Sequence, residues 1–332
     1  MKRIFLLPLI MCLILTISCE NRNQKEVSAA SCASSDILLI GLDDAAQNMD
    51  VLCFVSYKQS TNEVSFVQIP RDTYFDFGGT QNKINQIYSF YRAYYPQSEA
   101  MSRAVKDIAD ALSVSLDGFM AITTSALCLG IDALGGIDIE LQNSGVFTDE
   151  FGEKPLSLNQ GVNHLNGEEC MQFLRYRRGY LTGDLGRLDA QKLFFRGVME
   201  KFSNHLPMDK LLQAFFAVQK DIITDLNIVD LIRISTGDMD TLAQAKVNYL
   251  TLPGEAAISA RGLSYYVLNR KGASEVCERF LFAEASSFDK NNKFLCANEI
   301  SFANIYNDQN NKYQVYDNDT LGGIYIPKKQ KS

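Results

Sequence analysis

Three stretches of this chain hold the residue types that handle phosphate. "FLRYRRGYLTGDLGRLDAQ" (173–191) gathers Arg175, Arg177, Arg178 and Arg187 around a Gly-rich turn, although the 332-residue chain has a net charge of −7. Guanidinium groups bind phosphate oxygens through paired hydrogen bonds, so clustered arginines in an acidic chain point to an anion. In extended backbone Arg175 and Arg177 face one way and Arg178 another, because side chains alternate. Asp184 lies just ahead of a predicted helix, near its positive end. Arg187 and Gln191 are four residues apart and share a face of that helix. The stretch reads either as a cage around a phosphate or pyrophosphate, or as a solvated basic patch. Two arginines at i and i+2, with a third and a glutamine at the next helix start, favour the cage.

The second stretch, "IPRDTYFDF" (69–77), places Arg71 and Asp72 directly after an apolar strand stopped by Pro70. An arginine at a strand end can reach a crevice ligand, and a neighbouring carboxylate can orient it. The plainer reading is a local surface pair, which contributes little. Lys83 and Asn85 follow in "NKINQIY" (82–88). The third, "GLDDAAQNMD" (41–50), ends one strand at Asp43 and opens the next at Asp50. Such carboxylates can share Mg²⁺, with water and substrate phosphate completing the octahedron. A turn capped by Asp accounts for the same residues without a metal.

The elements that must position these residues are short apolar strands, "DILLIGL" (36–42), "VLCFVSY" (51–57), "EVSFVQI" (63–69), "LDGFMAIT" (116–123) and "GIDIEL" (136–141). Met101, Val105, Ile108 and Leu112 recur at helical spacing in 98–114. A helix over 124–134 would stop at Gly135-Gly136. Residues 187–202 read as an amphipathic helix, with further helices at 207–222, 227–237 and 273–282 and late strands at 246–254 and 263–268. Alternation without repeats predicts an α/β fold, a three-layer α/β/α sandwich around a central mixed sheet, over 36–283. Residues 284–332, rich in Asn, Lys and Asp, read as a poorly ordered or partner-dependent polar tail.

Lys2 and Arg3 precede an apolar run, Ile4–Ile17, too short for a spanning helix of about 20 residues. It fits a signal-peptide core. Ser18-Cys19 before a polar stretch is similar to a bacterial lipoprotein cleavage site, with Thr16 a departure from it. Residues 1–19 are thus a lipoprotein signal, a short uncleaved anchor or a fully released leader. Residues 20–35 are a tether. Each reading places the rest of the chain outside the membrane.

The acidic balance opposes nucleic-acid binding, which usually needs a basic face. The two histidines, His164 and His205, leave little room for imidazole chemistry, and no zinc-ligand spacing or C-x-x-C occurs. Cys53, Cys128 and Cys170 lie in apolar stretches and read as small buried hydrophobes. Cys277 and Cys296 are either a disulfide or two free thiols. The chain has 20 Phe and 15 Tyr, and "IYSFYRAYY" (87–95) and the Phe pairs at 194–195 and 215–216 bring aromatics near the candidate site in sequence. Most are core, and a few could line a slot for a lipid tail.

These motifs, in order "DILLIGLD", "VSFVQIPRDTY", "KINQIY", "IDALGGIDIEL", "HLNGEECMQFLRYR" and "GDLGRLDAQ", with "LPGE" and "SYY" after them, resemble the LytR–CpsA–Psr family of bacterial cell-envelope proteins. The resemblance covers 36–283 and implies an α/β/α sandwich. It implies transfer of a glycopolymer from a polyprenyl-pyrophosphate carrier to a muramic-acid hydroxyl of peptidoglycan at the outer face of the cytoplasmic membrane. It puts Asp43 and Asp50 at the Mg²⁺-binding aspartates and Arg71 at the arginine of a Pro-Arg-Asp motif. Arg175, Arg177 and Arg187 fall on arginines that hold the pyrophosphate, and Gln191 on a glutamine one helical turn later. Asp72 and Asp184 match motif acids and are candidates to take the acceptor's proton. Where the family usually has Arg-Ser-Asp, this chain has Asn48-Met49-Asp50, one cation fewer. That loss motivates a rival reading, a non-catalytic binder of lipid-linked polymer or peptidoglycan. A transcriptional regulator is opposed by the export signal and the acidic balance.

Overall fold

The computed structural model describes residues 34–149, 152–177, 179–180, 183–203, 208–226, 241, 243–259, 262–281, 293–294 and 313–321. The signal segment with Cys19, Arg178, His205, the helix expected at 227–237 and Cys296 lie outside the described residues.

In chain order the strands are β1 Ser34–Leu42, β2 Met49–Lys58, β3 Glu63–Ile69, β4 Tyr74–Phe77, β5 Thr80–Lys83, β6 Gly118–Ile122, β7 Ile137–Leu141, β8 Gly145–Phe147, β9 Leu156–Leu158, β10 Gly161–Leu165, β11 Ile222–Thr224, β12 Lys246–Thr251, β13 Gly254–Ile258 and β14 Ser264–Leu268. The helices are α1 Ile87–Arg92, α2 Gln97–Leu112, α3 Thr124–Ala133, α4 Gly167–Arg175, α5 Asp184–Ser203, α6 Met208–Val218, α7 Arg270–Phe280 and α8 Asn318–Leu321. Among the described residues no helix is long and apolar enough to cross a membrane.

Six strands form the central sheet in the order β11-β6-β1-β2-β3-β12. β1 runs parallel to β6 and antiparallel to β2, and β3 runs parallel to β12 and antiparallel to β2. Side chains alternate across the pleat, and both faces are covered. Ile37, Val55 and Phe66 face a layer built from α3, α4, α5 and α6. Leu38, Phe54 and Val67 face α1, α2 and α7. The predicted three-layer α/β/α sandwich is therefore the observed one. Full burial of an apolar side chain contributes roughly 1.5–3 kcal/mol, so these runs specify strands without a solvent face.

Local signals fix the helices around the site. Thr123 caps α3 by accepting from the Ala126 N–H. Asn166 and Glu169 form a reciprocal capping box at the start of α4. α5 departs from the amphipathic reading: Ala190, Gln191, Lys192, Leu193, Phe194 and Phe195 are all buried in succession. It is a central helix between the sheet and further structure, so it lacks a wide polar face. Gly197 allows that approach, since a Cβ there would lie 2.3 Å from the Asp138 carbonyl oxygen of β7.

Two boundaries move. β1 starts at Ser34, inside the expected tether. Parts of the expected tail belong to the core: Phe294 and Leu321 are fully buried, and Phe294 packs 4.6 Å from Phe75 between ring centroids. Tyr316 exchanges backbone hydrogen bonds of 2.7 and 2.9 Å with Tyr249, covering the β12 edge of the sheet. Polar composition hid these few apolar anchors.

Candidate active site

β1, β3, β6 and β12 run in one direction, so their carboxyl ends meet at one end of the sheet. Ligands of open α/β sheets bind there. Asp43 follows β1, Arg71 follows β3, and α3 starts after β6. The pairing register passes from Gly41↔Val51 to Leu42↔Met49, which leaves Asp50 as the extra residue of a β-bulge. A bulge re-aims its side chain, and Asp50 turns to the crevice.

Arg71 Nη1 lies 2.7 Å from Asp50 Oδ1, and its Nη2 lies 3.4 Å from Asp184 Oδ1. Arg187 Nη2 lies 3.2 Å from Asp184 Oδ2 and 3.5 Å from the Asp50 carbonyl oxygen. Asp50, Arg71, Asp184 and Arg187 thus form a row of alternating carboxylates and guanidiniums, closed by the Asp50 backbone carbonyl. The α4–α5 connection that carries the arginines is fixed by edge-to-face rings, Phe147 on Tyr176 at 5.2 Å and Tyr176 on Tyr180 at 5.3 Å. Gly186 lets Tyr180 pack against the first turn of α5, where a Cβ would meet the tyrosine Cβ at 2.6 Å.

The two inner arginines differ. Burial works against the Arg71 cation, but Asp184 and Asp50 outweigh it and raise its pKa. Arg187 is only 4% exposed. Burial dominates there and lowers its pKa; Asp184 and Asp50 oppose the shift, and Arg71 and Arg177 add repulsion. The Nε groups of both arginines are buried and make no hydrogen bond. A buried donor left unpaired costs about 1–3 kcal/mol. An anion would satisfy these donors and offset the charge on Arg187.

Asp50, Arg71, Arg175, Arg177 and Arg187 all line one polar pocket of about 330 Å³. Arg175 pairs with Asp44 at 2.6 Å, and Arg177 is exposed, with no carboxylate partner among the described residues. Four expected site residues stand outside that lining, and of these Asp184 sits between Arg71 and Arg187. Asp72 pairs with Lys83 at 3.0 Å and does not line the pocket. Asp43 closes its own turn, its carboxylate accepting from the Gln47 N–H at 2.8 Å and from Asn48 Nδ2 at 2.7 Å. Gln191 accepts from Gln68 Nε2 at 3.1 Å and lines a second, apolar cavity of about 130 Å³. That cavity lies between the sheet and helices α3 and α5, against Leu39, Val51, Leu127, Ile131, Phe194 and Val198. Of the aromatics singled out in the sequence, Phe194 and Phe195 line it, whereas the cluster at 87–95 lies on the opposite face of the sheet.

Sequence reading missed the far wall of the polar pocket: Asp149, Lys154, Glu168, Met171 and Gln172. A signal was present, because Glu168, Met171, Gln172 and Arg175 fall at i, i+3, i+4 and i+7 of α4, one helix face. Cys53, Cys170 and Cys277 are buried free thiols, with burial pushing Cys170 and Cys277 up to about 12.

The model of the LytR_cpsA_psr family matches residues 16–280. The polyisoprenyl-teichoic acid–peptidoglycan teichoic acid transferase TagU of Bacillus licheniformis is 27% identical over 264 residues, covering 77% of this chain and 81% of that protein. The Bacillus subtilis protein of the same name is 26% identical over 266 residues, covering 79% and 81%. Among solved structures, a Streptococcus agalactiae protein superposes with TM-score 0.64 at 23% identity, over 74% of this chain and 86% of that one. Bacillus subtilis TagV gives 0.62 at 20%, over 76% and 97%. TagT bound to LI-WTA gives 0.59 at 19%, over 78% and 94%. The structural likenesses establish the shared fold, and the family match runs through every element that builds the site: this chain belongs to the LytR–CpsA–Psr family.

Proposed function

We propose that this protein is an extracytoplasmic phosphotransferase that moves a glycopolymer from a polyprenyl-pyrophosphate carrier to a peptidoglycan hydroxyl. The observation that carries the reading is the junction of two unlike cavities on one helix. Arg187 lines the polar pocket and Gln191 the apolar cavity. Four residues span about 6 Å along a helix axis. A ligand with a long apolar tail and a pyrophosphate head matches that change of environment. The relatives' name supports a polymer of teichoic-acid type.

In the reaction, the acceptor hydroxyl oxygen attacks the phosphorus that bears the polymer. The bond from that phosphorus to the bridging oxygen breaks, and polyprenyl phosphate leaves. Arg71, Arg175, Arg177 and Arg187 hold the phosphate oxygens and stabilise charge building on the leaving group. Asp184 lies between Arg71 and Arg187 and orients both. Asp184 is held by two guanidiniums and Asp72 by Lys83, and neither lines the pocket, so either would have to turn toward the acceptor to take the hydroxyl proton.

Asp43 and Asp50 are hard oxygen donors of the kind Mg²⁺ takes, and Asp43, now bonded within its own turn, would have to turn toward Asp50 to share the ion. Among the described residues no group of three or more His, Cys, Asp or Glu is positioned for a metal, so water and substrate oxygens would fill the remaining positions. Bound there, Mg²⁺ would neutralise phosphate charge. Asn48, in place of the family's usual arginine, donates to Asp43 and so orients that ligand.

The test uses the full-length chain in detergent with a polyprenyl-pyrophosphate-linked polymer and peptidoglycan. Mg²⁺-dependent release of polyprenyl phosphate is expected from wild type and its loss from Arg177→Ala and Asp50→Ala. Equal release from all three would refute the mechanism. Tight donor binding without turnover under any metal would favour the non-catalytic binder.

A further inference from the structure

The turn after β1 carries two adjacent carboxylates with different partners. Asp43 points into the turn, where Gln47 and Asn48 donate to it. Asp44 points across to α4, and Arg175 Nη1 donates to its Oδ2 at 2.6 Å, joining segments 131 residues apart. Arg175 lines the polar pocket while making this contact, whereas Asp44 does not line it. Asp44 therefore touches a phosphate-binding residue without touching the place of the phosphate.

Both ends of the pair are anchored. The turn is held by Asp43, and the Thr124 hydroxyl donates to the Leu42 carbonyl oxygen at 3.3 Å. α4 is held by its capping box and by the Gly167 N–H donating to Asp132 Oδ1 at 2.7 Å. Arg71 and Arg187 are ordered by burial and by Asp50 and Asp184. Arg175 is the last residue of its helix, and its side chain is 35% exposed. A long side chain in that position samples many rotamers, and a ligand must order it on binding. Asp44 supplies at the rim the ordering that Asp50 and Asp184 supply inside.

We infer that Asp44 is a positioning residue that holds Arg175 at the mouth of the pocket and thereby tightens binding of the donor's pyrophosphate. The inference rests on the phosphotransferase reading above.

The experiment is a double-mutant cycle on the full-length chain, with Asp44→Asn, Arg175→Gln and the double variant. Donor kinetics and affinity for inorganic pyrophosphate are both measured. Asp44→Asn is expected to raise donor KM and pyrophosphate Kd about five- to tenfold while kcat stays within about twofold. Asp44→Glu should restore most of the affinity. In the Arg175→Gln background, Asp44→Asn should add less than about twofold, because its partner is gone. Unchanged or lower KM in Asp44→Asn would overturn the inference, and a lower value would mean that Asp44 competes with phosphate. An equal penalty in the Arg175→Gln background would also overturn it, placing the effect in the Asp43 turn. Wild type inactive on every donor would instead sink the phosphotransferase reading. The pyrophosphate cycle would still report the Asp44–Arg175 coupling.

Discussion

The two cavities that meet on α5 differ in volume, about 130 Å³ for the apolar one and about 330 Å³ for the polar one, and are opposite in character. The apolar one is walled by whole elements: the alternating face of β1, β2 and β6 on one side, α3 and α5 on the other. Many side chains share its lining, so no single residue defines it. The polar one is built from charges delivered by strand ends, loops and one face of α4, with Arg187 of α5 the most deeply buried. Loss of one charge there leaves another unpaired. The first cavity should therefore tolerate substitution and the second should not.

Arg187→Ala tests the intolerant side most severely. It removes a phosphate grip and leaves Asp184 with Arg71 alone, so release of polyprenyl phosphate should fall at least about 10²-fold. Arg187→Lys keeps the charge but loses the planar fork, and should recover only a small part of the rate. Near-normal turnover in Arg187→Ala would place the reacting phosphate elsewhere.

Val198→Phe tests the tolerant side by filling part of the apolar cavity. Donor KM should rise about tenfold for a long polyprenyl chain and change little for a short one, with overpacking costing about 1–3 kcal/mol in stability. Equal effects on both chain lengths would deny that this cavity takes the lipid.

Asp72→Asn should change turnover by less than about twofold, since a partly exposed carboxylate–lysine pair contributes little. A loss beyond about tenfold would mean that Asp72 turns away from Lys83 during the reaction, and would return it to the acceptor chemistry.

The smallest effect concerns the rim. The Arg175 hydrogen bond lowers the Asp44 pKa from its ordinary 3.8, against the opposing effect of partial burial, with Thr124 helping. A carboxyl lowered on folding contributes stability that is complete above its unfolded value and is lost as pH falls through the folded one. Wild type should then lose slightly more thermal stability than Asp44→Asn between roughly pH 5 and pH 3. Parallel melting curves across that range would show that the pair adds nothing measurable to the fold.

Much of the fold was legible because both faces of the sheet are buried. Uninterrupted apolar runs such as "DILLIGL" and "EVSFVQI" have few alternatives to a central strand. The arginines were legible because clustered guanidiniums in an acidic chain need a reason. Asp72 misled because its neighbour Arg71 does enter the site, and sequence adjacency does not tell which way the next side chain turns. Gln191 shares a helix face with Arg187, yet one turn was enough to carry it from the polar pocket into the apolar cavity.

By itself the sequence determined the main strands of the central sheet and the longer helices, the set of charged residues available for phosphate and the family pattern they follow. These depend on local composition and spacing. Only the tertiary structure decided that Asp50 is the bulged residue, that Asp184 bridges Arg71 and Arg187, that Asp44 holds Arg175, and that residues 313–321 cover the β12 edge. Each depends on groups distant along the chain meeting at one end or one edge of the sheet, and local pattern carries no record of which distant partner arrives.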